Sequence, residues 1–83
     1  MRLFRKRRTL VHVVPENAHW HILVDGRRLK HGNFPAPKTD AIKAAQCVAE
    51  AMEPSELFVL SRDGRISERD TYPRSSDPSE TKG

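Results

Sequence analysis

Apolar residues recur along this chain first at every second position, then at helical spacing, then at every second position again. Leu10-Val11-His12-Val13-Val14-Pro15 is β-branched and apolar, and His19 to Asp25 alternates. Strand geometry places Val11, Val13, Trp20, Ile22 and Val24 on one face, which reads as the core. Leu10, His12, Val14, His19, His21 and Leu23 share the other. Pro15-Glu16-Asn17-Ala18 has turn chemistry, and a four-residue loop there would pair Val14 with His19, His12 with His21 and Leu10 with Leu23. Asp25-Gly26 predicts a type I′ hairpin. Its return strand sets Arg28 opposite Leu23, Leu29 opposite Ile22 and His31 opposite Trp20, with Lys30 on the outer face.

Phe34-Pro35-Ala36-Pro37 is a rigid connector. Thr39 is the expected N-cap, and Asp40 favours the first turn through the helix dipole. Ile42, Ala45, Val48, Ala49 and Met52 recur at helical spacing and predict the buried stripe, with Lys43, Gln46, Cys47 and Glu50 opposite. Pro54 stops the helix. Glu56 to Ser61 carries apolar residues on both faces and predicts a central strand. Asp63-Gly64 predicts a second type I′ hairpin, with Ile66 sharing the core face of Leu57 and Val59 while Phe58 and Leu60 point away. The expected architecture is α+β: a single two-layer domain, β-β-β-α-β-β, with a mostly antiparallel sheet and one helix on one face. Trp20 is its expected core anchor. Residues 1–9 read as a flexible basic arm, 10–72 as the domain and 73–83 as a disordered tail of Pro, Ser, Asp, Glu, Thr and Lys.

Composition narrows the function classes. The 83 residues make one domain at most. A chain this short buries about 60% of its unfolded surface, which leaves no room for a deep cavity and none for a small-molecule substrate. The net charge is +4, while residues 9–83 hold ten basic and eleven acidic residues. The positive excess therefore lies in Arg2, Arg5, Lys6, Arg7 and Arg8. Such an arm suits an acidic partner, or serves as a solvated tail. One cysteine, Cys47, forms no internal disulfide, and no apolar run is long enough for a membrane span or a secretory signal. A cytoplasmic location is expected.

HVVP at 12–15, Trp20, the Thr-led helix with Ala41-Ile42-Lys43-Ala44-Ala45, SELFVLSRDGRISERDTY at 55–72, Asp77-Pro78 and Lys82-Gly83 form a combination. In these marks the chain resembles the small bacterial family catalogued as domain of unknown function 2188, over residues 12–83. It departs from that pattern at His19-Trp20-His21 and in the long Pro-Ala-Pro connector. The resemblance implies a β-meander, one helix and a hairpin. It implies no activity, and it does not reach the arm.

Candidate chemistry is sparse. His12, His19 and His21 share a face, and an opposed His12–His21 pair could place two imidazoles on Zn²⁺ or Cu²⁺. Against this, histidines also tolerate an ordinary sheet surface, and no carboxylate or thiol joins them in the expected pairing. Glu68 and Asp70, beside Arg65 and Arg69, read as surface pairing. Mid-helix Cys47 has nothing beside it to activate a thiol. No phosphate loop, catalytic triad or zinc spacing is present, so neither catalysis nor a cofactor is expected. The outer sheet face remains, with Leu10, Leu23, Phe58 and Leu60 amid His12, His21, Arg28 and Lys30. An apolar patch of this kind marks an interface. Non-specific nucleic-acid binding by Arg2, Arg5, Lys6, Arg7, Arg8, Arg28 and Lys30 is the first expectation. A homodimer or partner-protein contact through Leu10, Leu23, Phe58 and Leu60 is the alternative. An arm lying on an anionic membrane surface, with Leu3 and Phe4 inserted, comes third.

Overall fold

The computed structural model describes residues 8–30 and 34–73. In chain order it contains β1 (Thr9–Glu16), β2 (His19–Val24), β3 (Arg27–Arg28), α1 (Lys38–Ala51), β4 (Ser55–Leu60) and β5 (Ile66–Tyr72). The five strands form one sheet in the order β3-β2-β1-β4-β5. β1 and β4 are parallel and the other pairs antiparallel. The helix is the crossover that a parallel β1–β4 pair requires. The α+β architecture expected from the pattern is present, and its sheet is mixed.

One face of the sheet packs on the helix. Val11, Val13, Trp20, Ile22, Leu57, Val59 and Tyr72 meet Ala41, Ala45 and Ala49. The three alanines are fully buried, so the stripe differs from the one expected. Ile42 and Val48 flank it, half-buried, and Met52 is 42% exposed. Small side chains occupy the line of closest approach, where a larger residue would hold the helix off the sheet. Met52 is the C-cap, and its amide bonds back to Val48 and Ala49. Its side chain has left the helical register. Thr39 is not the N-cap. Pro37, whose fixed φ already suits helix entry and whose carbonyl accepts from the Ala41 amide at 2.9 Å, is the N-cap, so the helix begins at Lys38, two residues earlier than expected. Asp40 does lie in the first turn. At the other end, the buried Ser55 hydroxyl donates to the Ala49 carbonyl at 2.6 Å, supplying a last-turn oxygen with a partner.

Two hairpins depart from their expected register. Between β1 and β2 the loop is only Asn17-Ala18, with Asn17 at φ +57°, and Glu16 pairs His19. Pro15 stays in the strand opposite Trp20. Trp20 turns its own amide and carbonyl away, towards Ala36, so Pro15 faces no ladder bond from β2. His12 therefore opposes Leu23, and His21 opposes Val14. The shift is two residues, so every side chain keeps its face.

The Asp25-Gly26 turn is as expected, with positive φ at both residues. At the second DG site only Gly64 has positive φ, at +88°, and the Gly64 amide bonds to the Ser61 carbonyl. This is a three-residue loop over 62–64, not a type I′ turn. The register then jumps from Leu60–Ile66 to Val59–Glu68. Ser67 is the extra residue of a β-bulge, and it rotates Ile66 out of the core phase to 57% exposure. β3 pairs over two residues only, and Ala36 of the connector bridges Trp20. The expected partner, His31, lies outside the described residues.

Candidate functional site

The face turned away from the helix is built on a row that crosses all five strands. The register sets Arg28 of β3 opposite Leu23 of β2, Leu23 opposite His12 of β1, His12 opposite Phe58 of β4, and Phe58 opposite Arg69 of β5. The His12 and Phe58 rings are stacked, with centroids 5.0 Å apart and planes 20° from parallel. The Arg69 guanidinium lies 5.6 Å from the Phe58 centroid. Cations thus end the row at both edges, and apolar and aromatic groups fill its centre.

Two glutamates hold the cations in place. Glu56, on the same face of β4 as Phe58, accepts from Arg69 at 3.3 Å and lies 3.9 Å from Arg8. Glu16 is ion-paired with Arg28, and its Oε1 lies 2.8 Å from His21 Nδ1. That imidazole contact is close without having the direction of a hydrogen bond. The Arg28 hydrogen bond, more than the neighbouring His21, holds the Glu16 carboxyl below its ordinary value of 4.5.

The described residues change several expectations. Arg8 is tied down. Its guanidinium reaches the Tyr72 carbonyl at 3.2 Å and the Ser55 carbonyl at 3.4 Å, and Thr9 already belongs to β1. The structured domain therefore begins earlier than residue 10. Arg2, Arg5, Lys6 and Arg7 lie outside the described residues, as do the expected tail positions from 74 onwards. Arg28 and Lys30 are exposed, Leu10 is 40% exposed, and Leu23, Phe58 and Leu60 are half-buried on the outer face. Arg8, Thr9, Leu10, His12, Asp25 and Gly26 line a hollow at the end of the face where the basic arm joins β1.

The three histidines do not form a metal site. The two-residue register shift between β1 and β2 sets His12 opposite Leu23 and His21 beside Glu16, the parallel β1–β4 pairing puts His12 on Phe58, and His19 is exposed at the strand end. Among the described residues no three His, Cys, Asp or Glu side chains gather as metal ligands. Of the two arginines expected beside Glu68 and Asp70, Arg69 turns to Glu56 and Arg65 lies 3.7 Å from Asp63. Glu16, Glu56 and Arg69 were missed as members of the outer face. Their signal was the period-two phase, since Glu56 lies two residues before Phe58 on β4 and the DG hairpin sets Arg69 opposite Phe58.

Nearly all of the described strands and the helix fall within one family match. The model of uncharacterized protein conserved in bacteria (DUF2188) matches residues 11–72. The chain belongs to the DUF2188 family. The match spans every described element except the first two residues of β1, and it leaves Arg8 and the arm outside. No curated protein and no solved structure matches this DUF2188 chain. Among the described residues no helix is long and apolar enough to cross a membrane.

Proposed function

We propose that this DUF2188 chain is a small non-enzymatic protein that contacts nucleic acid without sequence preference, through its basic arm and its outer sheet face. The row Arg28–Leu23–His12–Phe58–Arg69 carries this reading: an aromatic surface with a cation at each end, on the face where Arg8 meets Glu56. Consecutive Arg5, Lys6 and Arg7 can follow phosphates without a fixed geometry. A cytoplasmic setting belongs to the same reading, since Cys47, the one cysteine, offers no internal disulfide. A second reading, a homodimer or partner-protein module, is favoured by the exposure of Leu10 and Ile66 beside the same row.

Titration of mixed-sequence DNA and RNA at several salt concentrations separates the two. Arg2, Arg5, Lys6 and Arg7 give a slope of log affinity against log salt of about −3 to −4, at about 0.7 to 0.9 per phosphate. Removing residues 1–7 should abolish most of that slope. Absence of salt-sensitive binding overturns the proposal. Self-association that survives both truncation and high salt establishes the second reading instead.

A further inference from the structure

Resting on that reading, we infer that the outer face takes single-stranded and not duplex nucleic acid, with a base extending the His12–Phe58 stack and phosphates meeting Arg28 and Arg69. Width is the first argument. Five strands at a spacing of about 4.8 Å separate Arg28 from Arg69 by about 19 Å. A major groove is about 12 Å wide and admits a helix or a two-stranded ribbon. A five-stranded face cannot enter it. A duplex resting on this face would press charged backbone against Leu23, His12 and Phe58, the centre of the row, where neither Arg28 nor Arg69 stands opposite it to offset the lost hydration.

A single strand has no such conflict. Its bases can unstack and turn towards aromatic side chains while its backbone follows flanking cations. His12 and Phe58 are half-buried, and both belong to strands near the middle of the sheet. A base stacking here needs no hydrogen-bond readout, which fits binding without sequence preference. Arg28 and Arg69 each spend part of a five-donor guanidinium on a glutamate, so donors remain for a phosphate oxygen. The helix-side aromatics cannot substitute, because Trp20 and Tyr72 are in the core.

The test uses the full chain and three labelled oligonucleotides of equal length: a mixed-sequence single strand, its duplex, and an abasic strand with the same phosphates. The single strand should bind roughly tenfold more tightly than either of the others. Phe58→Leu, which keeps an apolar side chain in β4, should reduce that preference severalfold while salt sensitivity persists. The abasic comparison needs no variant, so a folding defect cannot obscure it. Equal, salt-sensitive binding of all three overturns the inference and leaves the proposed function standing. No salt-sensitive binding of any overturns both.

Discussion

Arg8 is one of five basic residues among the first eight, and the structure gives it a defined place. Its contacts with the Ser55 and Tyr72 carbonyls and with Glu56 join the start of β1 to β4 and β5. Arg8→Ala should lower stability by about 1 kcal/mol, read in thermal or urea unfolding. Truncation after residue 7 should leave the melting temperature near that of the full chain, and truncation after residue 8 should not. Glu16 supplies a pH signature. Its carboxyl is held below the ordinary value by Arg28, so its contribution is complete above about pH 4.5 and disappears as pH falls through the lowered value. The stability gap between wild type and Glu16→Gln should be largest near neutrality and shrink below pH 4.5. A gap constant over that range would show that the Glu16–Arg28–His21 contact is not populated in solution. At the core, Trp20 is 7% exposed, with Lys38 and Arg62 5.0 and 5.5 Å from its ring. Trp20→Ala should cost about 3–5 kcal/mol, and a mutant melting with wild type would contradict its place as anchor.

Hairpin geometry separates what the sequence makes legible from what it hides. Asp25-Gly26 was readable because two consecutive positive φ values have few other solutions. Pro15 misled, because proline signals a turn unless the neighbouring strand needs no hydrogen bond from it. The resulting error was two residues, so the outer face of Leu10, Leu23, Phe58 and Leu60 came out correctly while its individual partners did not. Ser67 was invisible: a bulge depends on where a loop closes, and an odd shift reverses a face. Its consequence is measurable. Leu57→Ala should cost about 2–5 kcal/mol, whereas Ile66→Ala, exposed beyond the bulge, should stay within about 0.5 kcal/mol. Comparable losses at both positions would place Ile66 in the core after all. The helix stripe was half legible, since alanines at helical spacing fit either flank and only packing distance selects Ala41, Ala45 and Ala49. Tyr72 was overlooked as core although it keeps phase with Glu68 and Asp70 opposite Val59 and Leu57. The arm's sequence shows charge, and charge alone does not tell that Arg8 would be docked.

At the scale of the molecule, among the described residues one helix covers one side of a five-stranded sheet and the other side faces outward. β5 is an edge strand, yet it is poorly suited to pairing with a copy of itself. In-phase antiparallel pairing centred on Arg69 brings two arginines together and sets Glu68 against Asp70, and like charges directly opposed are unfavourable. The outer face is therefore the larger surface on which a partner can act, and its row of cation, apolar group, imidazole, phenyl and cation is the account's central element. Ring resonances test it most directly, because Phe58 and His12 report on the outer face and Trp20 on the opposite one. On adding a short mixed-sequence single strand, the ring protons of Phe58 and His12 should shift upfield together, saturably and less at higher salt, while the Trp20 indole stays in place. Movement of the Trp20 signals with Phe58 and His12 unchanged would contradict the account.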